Sequence, residues 1–200
     1  MTSRNRAILW LLLDTGLQVS ELCSLRLADV DHVGGTVMVR GKRGRPRTFP
    51  LSADGQRAVG TYLDQARLTP AWEPAVPEAR DRLLLTERRH PLTKNGLTLL
   101  FQRLSQRARF TREPICSSML RDTYAIHFLR AGGELAALQE QLGVADRASV
   151  KRYQHFCEQR RQEQEIQACS EESVFTQQSR RDKSKRRKEQ GRGRGRRRSS

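Results

Sequence analysis

Residues 117–155 read SSMLRDTYAIHFLRAGGELAALQEQLGVADRASVKRYQH, and the helical pattern of the chain is clearest in them. Leu120, Tyr124 and Phe128 recur at i, i+4 and i+8, so they form one apolar helix face. The glycine pair at 132–133 ends this helix, because glycine accepts the left-handed conformation of a helix C-cap. The stretch therefore predicts an arginine-bearing helix, a glycine stop, a second short helix and a third helix that carries a tyrosine.

Arg121 lies at the edge of that apolar face. A half-buried guanidinium needs an anionic partner, since burying an unpaired charge is unfavourable. One candidate partner is a carboxylate of the chain itself. The other is a phosphate group, which an arginine binds through two parallel hydrogen bonds. The residue type alone leaves both open, and the structural partner is the more common one.

Tyr153 follows Val150 by three residues and precedes Cys157 by four, so it lies on the inner stripe of its helix. A tyrosine at such a position is usually a core residue with a hydrogen-bonded hydroxyl. A nucleophilic hydroxyl is the alternative.

The spacing of these elements resembles that of the tyrosine recombinase (phage integrase) family. The family carries H-x-L-R-H-T-x-A, a glycine-rich helix end, L-G-H, and a nucleophilic tyrosine nine residues after that last histidine. This chain has SMLRDTYA at 118–125, AGG at 131–133, LGV at 142–144 and then Tyr153. An earlier segment, TGLQVSELCSL at 15–25, resembles the family box T-G-x-R-x-S-E-x-x-x-L.

A basic hairpin is the third element of the resemblance. Residues 35–40 alternate in polarity, residues 41–47 turn, and residues 48–51 return, which predicts two antiparallel strands. The basic side chains of the turn are Lys42, Arg43, Arg45 and Arg47. A solvated basic turn is one interpretation, and contact with a DNA phosphate backbone is the other. The family signature V-x-G-K-G-x-K-x-R-x-V-P-L favours DNA contact.

The resemblance implies a role for each matching residue. Tyr153 would attack a phosphodiester of double-stranded DNA and form a 3′-phosphotyrosyl link. Arg121 would stabilise the charge of the transition state, and Lys42 would act as the acid towards the leaving 5′ oxygen. This chemistry needs no metal and no nucleotide cofactor. The family works as a tetramer on DNA, so a homo-oligomer or a complex with an intact recombinase is expected.

Three catalytic positions depart from the family pattern. Gln18 stands where the family has arginine, Ser118 where it has histidine, and Val144 where it has histidine or tryptophan. Glutamine and serine can still donate a hydrogen bond, whereas valine cannot. Two hypotheses follow: an impaired recombinase of a mobile element that cuts and rejoins DNA, or a decayed relative that binds DNA or a recombinase without cutting.

Charge is concentrated at the C-terminus. The chain has a formal net charge of +16, and residues 179–200 hold twelve Lys and Arg against Asp182 and Glu189. This balance predicts a polyanionic partner, and a solvated C-terminal end with no specific partner is the alternative. Residues 179–200 cannot build a core and are expected to be disordered. A third hypothesis is an unrelated basic protein that binds RNA through residues 179–200.

The remaining features limit the class of protein. The four cysteines show no metal-ligand spacing, which is typical of reduced thiols in a cytoplasmic protein. No apolar run is long enough to cross a bilayer, so no membrane partner is expected. We predict an α+β, mostly helical catalytic domain with a small antiparallel sheet at 1–157, without the family's preceding DNA-clamping domain. A charged helix or linker at 158–178 and the tail at 179–200 would follow.

Overall fold

The helices and strands are described in a computed structural model for residues 1–41, 46–67, 73–109, 114–144 and 148–159. The α-helices are α1 (Ser3–Thr15), α2 (Val19–Ser24), α3 (Ala53–Tyr62), α4 (Lys94–Arg107), α5 (Ser117–Arg130) and α6 (Leu135–Leu142). Shorter turns are the 3-10 helices Leu27–Asp29 and Pro77–Ala79 and the π-helical turn Leu63–Arg67. Residues 148–159 are also helical. The predicted α+β, mostly helical class is confirmed.

A small antiparallel sheet follows α2. Its strands are β1 (Val30–Asp31), β2 (Thr36–Val39) and β3 (Arg47–Pro50), in the order β1-β2-β3. Val37 pairs with Phe49, and both side chains are fully buried. The alternation of β2 therefore places one face on the core, as a period of two requires. Residues 42–45, between β2 and β3 in the sequence, lie outside the described residues.

Local capping explains where the helices begin and end. Thr2, Ser52 and Thr93 each accept a hydrogen bond from a backbone amide in the first turn of α1, α3 and α4, respectively. For α2 the sequence predicts Ser20 as the N-cap of a helix over residues 21–27, and this is wrong. The helix begins after Gln18, whose backbone N–H donates to the Glu21 side chain at 2.9 Å.

Two apolar clusters hold the described residues together. The larger one lies among α1, α3, α4 and the sheet, and it includes Ile8, Leu11, Phe49 and Phe101. The smaller one contains Ala125 of α5, Leu138 and Leu142 of α6, and Val150 and Tyr153. Tyr124 contacts both clusters, so α5 lies between them.

The chain divides into two compact units, Met1–Gln154 and His155–Ser200. Of the second, the structure describes only residues 155–159, which are helical. The predicted domain end at 157 and the predicted segments 158–178 and 179–200 stay predictions, and residues beyond 159 lie outside the described residues. Among the described residues, no helix is long and apolar enough to span a membrane.

Candidate active site

Tyr153 lies in the smaller apolar cluster. Only 6% of its surface is exposed, and its ring packs with Ala125, Leu138 and Val150. The prediction that it occupies the inner stripe of its helix is confirmed. Its ring is thereby fixed by packing, which leaves the hydroxyl as the group whose partners decide what the residue can do.

The hydroxyl of Tyr153 meets two charged side chains. It donates a hydrogen bond to Asp122 Oδ1 at 2.6 Å and accepts one from Arg152 Nη2 at 2.6 Å. Arg152 Nη2 also lies 3.1 Å from Asp122 Oδ1, which closes a triangle of three contacts. The Arg152 guanidinium carbon is 4.6 Å from the centre of the Tyr153 ring. The side chains of Arg152 and Asp122 are 66% and 43% exposed, so the triangle borders solvent.

These contacts act on the pKa of Tyr153 in opposite directions. Burial is the largest effect and raises the pKa of the hydroxyl, and the hydrogen bond to Asp122 raises it further. The hydrogen bond from Arg152 lowers the pKa, since a donated bond stabilises the tyrosinate. The net shift is upward, so the hydroxyl is neutral at pH 7 and needs a base before it can attack.

Arg121 is held by backbone carbonyls. Its Nη1 donates to the carbonyl of Gly16, and its Nη2 donates to the carbonyl of Leu142 at 2.7 Å. Gly16 follows α1 and Leu142 ends α6, so the guanidinium lies at the negative ends of two helices. The sequence left a carboxylate or a phosphate as its partner, and the observed hydrogen-bond partners are neither.

Arg121 and Tyr153 belong to one electrostatic site. Burial lowers the pKa of Arg121, whereas Glu21 and then Tyr153 act on it in the opposite direction. The two residues are also linked through Leu142, whose carbonyl binds Arg121 and whose side chain packs in the cluster of Tyr153. The fold therefore links the predicted nucleophile, Tyr153, to Arg121, the residue predicted to stabilise the charge of the transition state.

Arg47 lies next to this site. Its guanidinium forms an ion pair with Glu21 and donates to the carbonyl of Gln141. The side chain of Arg47 is 10% exposed and that of Glu21 is 12% exposed. Gln141 in turn accepts from the hydroxyl of Tyr124, and burial raises the pKa of Tyr124 to about 12. DNA contact by Arg47 stays a prediction, and its guanidinium is bound within the protein here.

The three departing positions lie in different environments. Gln18 caps α2 and its side chain is exposed. Ser118 lies exposed in the first turn of α5, with its Oγ 2.9 Å from Cys116 Sγ. Val144 follows the left-handed Gly143 and packs on the smaller apolar cluster. The predicted Lys42, Arg43 and Arg45 lie outside the described residues.

Sequence reasoning missed four residues of the site: Glu21, Asp122, Gln141 and Arg152. Asp122 carried a signal, because it stands where the family motif H-x-L-R-H has its second histidine. Arg152 precedes Tyr153 directly, yet adjacency along a helix does not predict that two side chains meet. Within the described ranges, no group of three or more His, Cys, Asp or Glu side chains is placed to hold a metal ion.

Comparison with known proteins relates the chain to a family. Residues 1–160 match the phage integrase family. Tyrosine recombinase XerC of Bacillus pumilus is 38% identical over 156 residues, which are 76% of this chain and 49% of that protein. Tyrosine recombinase XerC of Bacillus subtilis is 37% identical over 155 residues, with the same two shares. The chain thus spans about half the length of the curated relatives it matches.

Solved structures show the same fold. The crystal structure of XerA recombinase superposes with a TM-score of 0.65 and 29% identity, over 76% of this chain and 51% of that one. XerH recombinase bound to a palindromic difH substrate, in a post-cleavage complex, superposes with a TM-score of 0.63. Its identity of 24%, over 80% of this chain and 44% of that one, supports the fold alone.

Proposed function

Because the chain belongs to the phage integrase family, we propose that it binds double-stranded DNA and cuts and rejoins one strand through Tyr153. The observation that carries this proposal is the link between Arg121 and Tyr153 through Leu142, whose carbonyl accepts from Arg121 and whose side chain packs in the cluster of Tyr153. The ion pairs of the described residues do not include Arg121, whose hydrogen bonds run to carbonyls. Its positive charge is therefore available to an incoming phosphate.

The chemistry assigns each residue one task. The hydroxyl oxygen of Tyr153 bonds to phosphorus while the bond to the 5′ oxygen breaks, which conserves the phosphodiester in a covalent intermediate. Arg121 stabilises the negative charge that develops on the phosphate oxygens. Lys42 donates a proton to the leaving 5′ oxygen. Attack by that 5′ hydroxyl on the phosphotyrosine reverses the step and rejoins the strand.

The three departures make the proposed enzyme slow. Removing a single preorganised donor from an anionic transition state costs about 10²–10³ in rate. Gln18 lacks the charge of an arginine, and Val144 has no donor at all. Because effects within one site are not additive, the three losses are not multiplied.

A second candidate is a relative that binds DNA, or an intact recombinase, without cutting. The packing of Val144 against the smaller apolar cluster favours it, since that position offers no hydrogen bond to a phosphate. On this alternative Arg121 would bind a phosphate, and Tyr153 would serve only as a core residue. Assembly into a tetramer on DNA remains an expectation under either candidate. We also expect the protein to act in the cytoplasm, where Cys23 and Cys116, which form no disulfide in the structure, would stay reduced.

Covalent trapping on nicked duplexes separates the two candidates. The duplexes are drawn from DNA flanking the gene and are first selected for binding by gel mobility shift. The unaltered chain, Tyr153→Phe, and a triple variant (Gln18→Arg, Ser118→His, Val144→His) are then compared for a protein–DNA adduct. We expect an adduct from the unaltered chain, more from the triple variant, and none from Tyr153→Phe.

The other outcomes are informative as well. An adduct from the triple variant alone would mean that DNA contacts survive while the chemistry is lost, as the second candidate requires. A bound duplex that yields no adduct with either chain would contradict cleavage through Tyr153.

A further inference from the structure

The triangle of Asp122, Arg152 and Tyr153 contains groups that nothing above assigns to the reaction. An arginine can only donate hydrogen bonds, so the contact between Arg152 Nη2 and the Tyr153 oxygen uses the guanidinium proton. The single proton of the phenol is then directed at Asp122 Oδ1, 2.6 Å away. One lone pair of the phenol oxygen remains for a bond to phosphorus.

We propose that Asp122 is the general base that takes the Tyr153 proton as the hydroxyl attacks DNA, and that Arg152 holds the base and the nucleophile in place. This inference rests on the proposed function, because it names the proton acceptor of that same strand-transfer step. Asp122 touches the reacting oxygen, so it is a catalytic residue, whereas Arg152 is a positioning residue.

The step is balanced in protons and bonds. The bond from the Tyr153 oxygen to phosphorus forms as the phosphorus–5′ oxygen bond breaks, and the phenol proton passes to Asp122 Oδ1. The 5′ oxygen takes its proton from the Lys42 ammonium. Rejoining runs in the opposite direction: Asp122 returns its proton to the departing phenol oxygen. No electron is gained or lost.

Charge placement supports a base at this position. A lone carboxylate would repel the DNA phosphate, but Arg152 lies 3.1 Å from Asp122 and offsets its charge. Asp122 also follows Arg121 directly in α5, so the base and the phosphate-binding cation share one helix. Both members of the Asp122–Arg152 pair border solvent, so a DNA strand can approach the pair from outside.

The rate of single-turnover cleavage of the selected nicked duplexes tests the proposal. It is measured in the unaltered chain, or in the triple variant if only that variant forms an adduct. Asp122→Asn keeps the shape of the side chain and removes its basicity, so we expect cleavage to slow by about 10²–10⁴ with duplex affinity unchanged. Asp122→Glu should recover at least part of the rate. The control is Asp54→Asn, which breaks another solvent-facing carboxylate–arginine pair, Asp54–Arg57, and should leave the rate unchanged.

A modified substrate distinguishes a base from an acid. With sulfur in place of the bridging 5′ oxygen, the leaving thiolate needs no proton, so the acid becomes dispensable. This substrate should restore cleavage by Lys42→Ala and should leave Asp122→Asn slow. A merely structural role for Asp122 would instead appear as a lower melting temperature and weaker DNA binding, and Asp122→Glu would not recover the rate.

A measurement that does not depend on cleavage tests the contact between Tyr153 and Asp122. Removing the carboxylate acceptor should lower the pKa of Tyr153, measured as the alkaline rise of tyrosinate absorbance in Asp122→Asn with Tyr153→Phe subtracted. An unchanged titration, or an Asp122→Asn rate equal to or above that of the parent, would overturn the inference while leaving cleavage through Tyr153 intact. If no background forms an adduct, the proposed function fails, and the general base fails with it.

Discussion

Arg47 illustrates how the role of a single residue depends on where its side chain lies. In the sequence it is one of four basic residues of a turn, and the family signature favours contact with DNA. In the structure its guanidinium pairs with Glu21 and reaches the carbonyl of Gln141, and both paired side chains are nearly buried. A buried ion pair offsets its desolvation only while both partners are present. A substitution of Arg47 would therefore lower stability if the residue serves the ion pair, and would lower DNA affinity if it contacts DNA.

At this scale we predict that Arg47→Met lowers the free energy of unfolding by about 3 kcal/mol, because it leaves the Glu21 carboxylate buried without its cation. Urea denaturation measures the change, and adding Glu21→Gln should recover part of it. Arg57→Met is the control, since the Arg57–Asp54 pair is exposed at 77% and 52% and should change stability by less than about 1 kcal/mol. Unchanged stability with weaker duplex binding would instead establish Arg47 as a DNA contact.

The turn after α1 is the element on which the candidate site depends. Gly16 has a φ of 59°, in the left-handed region, and its carbonyl accepts from Arg121. A Cβ at this position would lie 2.5 Å from Tyr124 Cδ1. The end of α1 can therefore approach α5 closely only because residue 16 has no side chain.

At the element scale, Gly16→Ala should lower the free energy of unfolding by more than about 1 kcal/mol, through left-handed strain together with the clash. It should also displace the carbonyl that holds Arg121 and so reduce DNA binding. The matched control is Gly60→Ala within α3, where a Cβ would meet nothing within 4 Å. In that variant the free energy of unfolding should rise by about 0.5–1 kcal/mol. Chemical denaturation compares the two, and equal effects would contradict the role given to the turn.

The distribution of charge is a property of the whole molecule. The formal net charge of the chain is +16. Residues 179–200 contribute more than half of it, because they hold twelve Lys and Arg against Asp182 and Glu189. The candidate site, in contrast, lies entirely within residues 1–154. The proposed function thus assigns duplex recognition to the folded part, whereas the RNA-binding hypothesis assigns it to the tail.

At the scale of the whole molecule, we predict that a chain ending at residue 178 still binds the selected duplexes. Affinity should fall with salt in both chains, with a slope of about −0.9 per phosphate contact on a double-logarithmic plot, and the shorter chain should have the shallower slope. Fluorescence anisotropy over a salt series, with single-stranded RNA of equal length as the comparison, measures both quantities. Loss of all duplex binding on truncation would favour the hypothesis of an RNA-binding protein that acts through residues 179–200.

The helices and their ends were largely predictable, because the signals that set them act over a few residues. The inward face of α1, with Ala7, Ile8, Leu11 and Leu12 all fully buried, follows from its apolar period. The start of α2 was not predicted correctly, since Ser20 has a typical capping side chain. The glycine turn after α1 brings Gln18 into the capping position instead, where its amide reaches Glu21.

By itself, the sequence determined the family, the helical pattern, and the identity of Arg121 and Tyr153 as candidate site residues, since motif spacing and periodicity are properties of neighbouring residues. Only the tertiary structure decided what these residues touch. Arg121 bonds to a carbonyl 105 residues away, Arg47 to one 94 residues away, and Tyr153 to a carboxylate 31 residues away. A hydrogen bond forms only within about 3 Å, so its partners depend on how distant helices pack, which no local pattern encodes.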